Sequence, residues 1–393
     1  MWESVLVGGA VFVFYAYAGY PVLLWILARF KARPVMDCSE PDELPAVTVL
    51  VAAHNEEDNI AKRIENLLAS DYPEDKLEIV VACDGCSDRT VPMAQSYRDV
   101  KVLDLPRRGK ASAINEGVCH ASGEVIVFAD ARQRFAPDAI RRLVSILVCS
   151  GAGAVGGELV LIDREGAPRA MGAYWAYEKL LRRLEAYVDS PLQCSGAIYA
   201  IRREHFVPMP EGLVLDDMWV PLHVMRRGYL ILFDPLAKAF DTVTDTYDRE
   251  FRRKVRTLAG NYQLMFAAPW LLVPWRNRLW WQFVSHKVCR LLVPYVLVAI
   301  YAASWALFHQ PYGAALVVAQ SAYYLLGAVS WFVPSLARRF RVAGLAGSFL
   351  SLNAAAAVAP VAFLMSKGRV RWDRSPMVSP SSTESDNPRM RLY

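Results

Sequence analysis

Residues 5–30 are almost continuously apolar, and this stretch constrains the chain more than any other feature. A helix needs about 20 residues to cross a bilayer core, and this run exceeds that. Arg29, Lys31 and Arg33 close it, while Glu3 is the one charge before it. A cleavable signal peptide carries its positive charges first. Here they come last, so residues 1–30 read as an uncleaved transmembrane anchor with the following domain in the cytosol. Further apolar runs at 291–308, 313–337 and 343–365 predict a C-terminal membrane block of about three spans over 291–366. The mean hydropathy of +0.19 is therefore an average over membrane blocks and a more polar middle. Three crossings would carry the tail outside. Lys367, Arg369, Arg371 and Arg374 favour the cytosol instead, so either one segment is interfacial or re-entrant, or the tail departs from the positive-inside tendency.

Between these blocks the pattern changes. Residues 31–45 form a linker rich in proline and acid, and 46–248 alternate strand-like and helix-like segments. The runs 47–53, 77–83, 100–105 and 124–129 are short and apolar, as strands of a covered parallel sheet should be. Helical spacing falls between them at 56–68, 88–97 and 110–121. Such alternation predicts a parallel sheet with covering helices and a ligand site at the C-terminal strand ends. From 249 to 290, arginine and lysine mix with Trp270, Trp275, Trp280 and Trp281, which predicts amphipathic helices in the headgroup region. Residues 367–393 read as a basic and then disordered tail.

The net charge of +5 is too small to argue for nucleic acid; it suits anionic lipid or phosphate-bearing substrates. The seven cysteines are irregularly spaced and give no disulfide framework. Cys83 and Cys86 have redox-motif spacing without the second pair a zinc site needs, and read as small buried thiols.

The polar residues at the strand ends carry the chemistry. The first strand runs into His54, Asn55 and Glu56, the second ends at Asp84, and the fourth at Asp130 and Arg132. Carboxylates there can accept from a ribose hydroxyl or a base N–H, or hold a divalent cation against a diphosphate. The plainer alternative is that each is a turn former or cap. Arg107–Lys110 forms a basic, glycine-containing turn that opens a helix and suits phosphate. It lacks the glycine and hydroxyl spacing of a Walker A loop, and no G-x-G-x-x-G follows the first strand. Asp216 and Asp217 open a later helix, either as capping residues or with one of them as a general base.

Taken in order, these motifs resemble the inverting family 2 glycosyltransferases, especially the membrane-integrated poly-N-acetylglucosamine, hyaluronan, chitin and cellulose synthases. The resemblance implies an α/β GT-A, Rossmann-like nucleotide-sugar-binding domain inserted between transmembrane helices of an integral membrane protein. It implies nucleotide-sugar contacts from Asn55, Glu56, Asp84, Lys110 (with Asn115 downstream), Asp130 and Arg132. It makes Asp217 the catalytic base beside Asp216, and gives acceptor or diphosphate contacts to Gly196, Arg253 and Arg256. Three departures stand out. The D-x-D motif is Asp130-Ala131-Arg132, the Glu of the Glu-Asp pair is Asp216, and Q-x-x-R-W is Arg253-Lys254-Val255-Arg256-Thr257. Losing one carboxylate weakens chelation, so Mg²⁺ or Mn²⁺ would be held by Asp130 with Arg132 supplying further charge. Losing the Gln and Trp bears on processivity.

The expected reaction moves a sugar from a UDP-sugar to a lipid-linked or polysaccharide acceptor at the cell inner membrane. The partners implied are membrane lipids and polysaccharide export components, with no nucleic acid. A single-addition glycolipid synthase and a non-catalytic subunit of a polysaccharide assembly are the alternatives.

Overall fold

The structure, a computed structural model, describes residues 1–31, 41, 43–162, 173–242, 247–333, 336 and 339–366. Most of the 31–45 linker and the whole 367–393 tail lie outside them.

The first helix, α1 (Trp2–Phe30), is one of four helices long and apolar enough to cross a membrane. It carries a π-helical turn at Tyr15–Gly19. Then follow β1 (Val47–Ala53), α2 (Ile60–Leu68), β2 (Leu77–Asp84), α3 (Thr90–Gln95), β3 (Val100–Leu105), α4 (Lys110–His120) and β4 (Val125–Asp130). The second half of the domain contains β5 (Arg134–Phe135), α5 (Ala139–Ser150), β6 (Ala154–Ile162), α6 (Ala173–Val188), β7 (Ile198–Arg202), α7 (Asp216–Arg226) and β8 (Ile231–Thr242).

The eight strands form one sheet in the order β3-β2-β1-β4-β7-β6-β8-β5. The expectation of an all-parallel sheet holds for its first half, where β1 pairs in parallel with β2 and β4, and β2 with β3. It fails in the second half. β7 runs antiparallel to both neighbours and β5 antiparallel to β8, while β6 and β8 are parallel. β7 follows α6 and the 193–197 loop, and it enters the sheet between β4 and β6 in the reverse direction.

Both faces of the sheet are covered, and the period-2 alternation of the strands sorts the core into two layers. Leu50, Ala52, Val80, Ala82, Ile126 and Phe128 pack with α4 and α7. Val47, Val49, Val51, Ile79 and Val81 pack with Ile60, Ile64 and Leu67 of α2 and Leu143 of α5 on the other face. β1 is buried along its whole length, which is why its sequence is continuously apolar.

After the sheet come α8 (Tyr247–Ala267), α9 (Trp280–Ala306), α10 (Pro311–Phe332) and α11 (Arg341–Met365), the last three being the other candidate spans. α9 begins eleven residues before the span expected at 291. The 280–290 stretch is thus continuous with a candidate span and carries a π-helical turn at Val284–Val288. Val7, Val11 and Phe14 of α1 are exposed, as are Val298, Val318, Leu325, Leu345 and Leu364 of the other spans. That apolar surface suits lipid. Arg29 lies 4.3 Å over the Trp25 ring near the end of α1, a pairing suited to the headgroup level.

The membrane helices are joined to the sheet domain by polar contacts. Tyr20 of α1 donates to Glu185 of α6 at 2.7 Å, and Tyr177 of α6 donates to the Tyr17 carbonyl at 2.9 Å. α8 lies against α11, where Phe266 stacks on Phe363 and Lys254 reaches Ser351 at 3.5 Å.

Candidate active site

The C-terminal strand ends, the start of α7 and the membrane-side helices enclose one cavity of about 1580 Å³. Its geometry begins with Asp84 at the end of β2. This carboxylate is 1% exposed and accepts the N–H groups of Arg108 (2.7 Å) and Gly109 (2.9 Å). Gly109 has φ +96°, a conformation a side chain would strain, and it opens α4. The bond from Asp84 therefore fixes the basic turn and aims Lys110 across the strand ends.

Lys110 Nζ lies 2.9 Å from Oδ1 of Asp130, at the end of β4, and 3.1 Å from Oδ2 of Asp216, at the start of α7. Burial alone would make this ammonium easier to deprotonate, but Asp130 and Asp216 outweigh that and raise its pKa. It is a fixed positive charge between two carboxylates. Asp216 in turn is raised above the ordinary carboxylate range, chiefly by burial, with Lys110 opposing.

Asp217 is the next residue and faces the same cavity. Its backbone carbonyl accepts the Cys194 N–H at 3.0 Å, which ties the loop before β7 to the start of α7. Gly196 of that loop sits against the Asp217 side chain, whose Cβ is 3.5 Å from where a glycine Cβ would stand. The pKa of Asp217 is pushed up to about 7, first by burial and then by the charge of Asp216, while Lys110, Arg182 and Lys287 pull it down. A carboxylate poised near neutrality in a cavity has the properties of a general base.

Arg132, two residues after Asp130, pairs with Asp241 at the end of β8 at 2.7 Å. Gln133 donates to the same Asp241 oxygen at 3.0 Å. Arg132 and Asp241 both line the cavity. The loss of the second carboxylate from the D-x-D position is thus accompanied by a carboxylate from a distant strand, held by the arginine that replaced it.

Of the residues singled out from sequence, Glu56, Lys110, Asp130, Arg132, Gly196, Asp216, Asp217, Arg253 and Arg256 all line this cavity. Asn55 and Asp84 are not part of its wall. Asn55, at φ +52°, accepts the Ser87 N–H at 2.8 Å and shapes the turn after β2. Asn115 exchanges two bonds of 2.9 Å with the Met209 backbone, bracing the segment before α7.

Sequence reasoning missed Asp241 and the membrane-side wall of Glu178, Arg182, Lys287 and Arg290. The available signal for the last two was charge inside an apolar run. Reading 249–290 as interfacial assigned those charges to lipid headgroups.

This arrangement, a mixed sheet with carboxylates and a basic turn converging at its strand ends, is that of the GT-A fold. Residues 48–206 match the model of "Glycosyl transferase family 2". A probable glycosyltransferase, YdaM, of Bacillus subtilis is 29% identical over 245 residues, which is 56% of this chain and 56% of that protein. The poly-beta-1,6-N-acetyl-D-glucosamine synthase of Staphylococcus aureus is 26% identical over 234 residues, 57% of this chain and 56% of that protein. The chain thus spans about half the length of these relatives. Among solved structures, a mannosyltransferase from Pyrobaculum calidifontis, in complex with GDP-Man and Mn²⁺, shares the fold. Its TM-score is 0.68 at 22% identity, covering 93% of this chain and 100% of that one. Residues 48–206 thus resemble the family 2 glycosyltransferases, and the domain that contains them has the GT-A fold.

Proposed function

We propose that the protein transfers a sugar with inversion from a nucleotide diphosphate sugar, a UDP-sugar in the first instance, to a membrane-associated acceptor in cell-envelope or exopolysaccharide synthesis. The observation that carries this reading is Asp217: a cavity carboxylate with a pKa of about 7, beside a fixed ammonium facing Asp130. The sheet domain lies in the cytosol, where nucleotide sugars are made, and the four spans lie in the inner membrane. The likeness to a poly-beta-1,6-N-acetyl-D-glucosamine synthase supports an N-acetylhexosamine donor.

In this mechanism the donor lies across the strand ends with its diphosphate near Lys110 and the Arg107–Gly109 turn, whose cations and N–H groups suit phosphate. The turn that Asp84 fixes and Asn55 shapes forms the nucleotide end of the site. Asp217 takes the proton of the acceptor hydroxyl as its oxygen attacks the anomeric carbon from the face opposite the nucleotide. The C–O bond to the nucleotide breaks, and its electron pair leaves on the diphosphate. Lys110, with Arg253 and Arg256 of α8, stabilises the negative charge that develops there. One displacement converts an α-linked donor into a β-linkage.

The residues fit a divalent cation in a limited way. Among the described residues no three His, Cys, Asp or Glu cluster as a metal cage. Asp130 is partly exposed to the cavity and would hold Mg²⁺ or Mn²⁺ together with phosphate oxygens and water, an arrangement Mg²⁺ accepts. Such a cation would add to the charge stabilisation of the leaving nucleotide.

Thr257 in place of the family's Trp favours a second reading, single addition to a glycolipid acceptor. Full-length protein in detergent, given a panel of nucleotide sugars, tests both readings through nucleotide release and product length. Release of UDP with a β-linked polymer supports the first, and a product one sugar longer supports the second. No release from any donor would sink both.

A further inference from the structure

The cavity does not end at Asp217. It continues between α6, the π-helical turn of α9 and α8, and reaches Leu352 and Ala356 of α11. This arm is walled in part by two candidate spans, α9 and α11, yet it contains cationic side chains whose hydrogen-bonding capacity is not fully used. Arg290, 8% exposed, pairs through Nη1 with Glu178, while its Nε and Nη2 are buried without a hydrogen-bond partner. Arg182 Nε is likewise buried without a partner. Lys287 Nζ donates to the neutral Gln193 at 2.8 Å and forms no ion pair among the described residues.

The carboxylates nearby are already engaged. Glu178 takes Arg290 and the Nε2 side of His286, while Glu185 takes the Nδ1 side of His286 (2.7 Å) and the Tyr20 hydroxyl. A buried donor left unmade costs about 1–3 kcal/mol, and more for a charged group. Two guanidinium groups with unbonded buried N–H donors, and an ammonium bonded to a neutral amide, therefore describe an anion site, and guanidinium forks suit phosphate oxygens in particular. Leu352 and Ala356 of a candidate span also line this cavity and supply the apolar part of the ligand's surroundings.

We propose that Arg182, Lys287 and Arg290 form an acceptor-side subsite for the phosphate of a phosphate-bearing amphiphile, whose hydrocarbon chain lies along α11. Whereas the donor diphosphate site is built on Lys110 at the start of α4, this site uses residues of α6 and α9. A phosphate held there positions an acceptor hydroxyl toward Asp217 from the membrane. It also neutralises two cations that stabilise the Asp217 anion, so occupancy strengthens the base at the moment an acceptor is present. This inference names the acceptor class for the function proposed above and rests on that reading.

The test is binding to the full chain in a neutral detergent. Farnesyl phosphate, farnesol and inorganic phosphate are compared in the presence of saturating UDP, which occupies the donor site. Farnesyl phosphate should bind at least about tenfold more tightly than either of the others. Arg182→Gln and Lys287→Gln should each weaken it by about tenfold while leaving UDP affinity and the thermal midpoint near wild type. Equal binding of farnesol, or unchanged farnesyl phosphate affinity in both variants, overturns the proposal. Inorganic phosphate binding as tightly as farnesyl phosphate overturns its lipid part. Failure of UDP to bind the wild type counts against the UDP-sugar reading, and the phosphate comparison is then made without nucleotide and keeps the same criteria.

Discussion

Arg132 and Asp241 form an ion pair at 2.7 Å across the diphosphate end of the cavity, and Asp241 is only 6% exposed with its second oxygen buried and unbonded. Removing the arginine leaves a buried carboxylate with Gln133 as its remaining side-chain donor. Arg132→Ala should therefore lower stability by about 1–2 kcal/mol, since the arginine is itself half exposed. Arg132→Asp should cost more through like-charge contact, and R132D/D241R should recover part of the loss. Thermal unfolding of wild type, R132D, D241R and R132D/D241R in detergent measures this coupling, and additive effects would show that the pair does not interact.

Asp217→Asn removes the proposed base without changing its size. Turnover should fall by about two to four orders of magnitude with nucleotide binding nearly unchanged. Asp216→Asn should act differently, because Asp216 faces Lys110 and not the acceptor side. It should weaken donor binding more than it slows turnover. If the large loss of turnover belongs to Asp216→Asn instead, the base is one residue earlier.

The pH profile carries a sign that can be worked out. Asp217 must be ionised to accept a proton, so kcat/KM should rise about tenfold per pH unit below about 7 and level off above it. Stability should run the other way. The folded pKa of about 7 lies above the ordinary 3.8, so between these values the folded chain holds a proton that the unfolded chain releases. This contribution is fully present below about 4 and is lost as pH rises through 7. Asp217→Asn should flatten both slopes, and a rate profile unchanged by the substitution would remove Asp217 from the role of base.

Lys110→Gln leaves Asp130 and Asp216 facing each other without the ammonium between them. The donor KM should rise by about tenfold or more, and added Mg²⁺ or Mn²⁺ should restore part of it by occupying the same charge gap. In the wild type, EDTA should inhibit readily, because a single protein carboxylate makes a weak cation site. A wild-type KM in Lys110→Gln would mean the ammonium does not act on the donor.

The sheet's first half was legible because β1, β2 and β4 are buried along most of their length and announce themselves as apolar runs; β1 needs no partner to be recognised. Asp217 was legible because a pair of acids at a helix start is a local pattern. The second half was less so. The direction of β7 depends on which edge it meets, and nothing in its five residues encodes that. Asp241 lies 109 residues from Arg132, and only folding brings the two together. Asp84 was visible as a strand-end carboxylate, but its bonds to the Arg108 and Gly109 backbone require the turn to be built first. Lys287 and Arg290 were hidden by their neighbours, since tryptophans beside cations look alike whether they face headgroups or a cavity.

α8 has one face in the cavity and another against α11, so the roof of the site belongs to the membrane part of the chain and its floor to the sheet. A fragment running from β1 to β8, without α1, would retain Asp84, Lys110, Asp130, Asp217 and Asp241 and would still be an open trough. Arg253, Arg256, Lys287 and Arg290 would all be gone. Fragment and full chain should thus agree on how the nucleotide is held and disagree on what the sugar is given to. Exchanging the C-terminal helices between relatives would be a way to redirect the product without touching the donor.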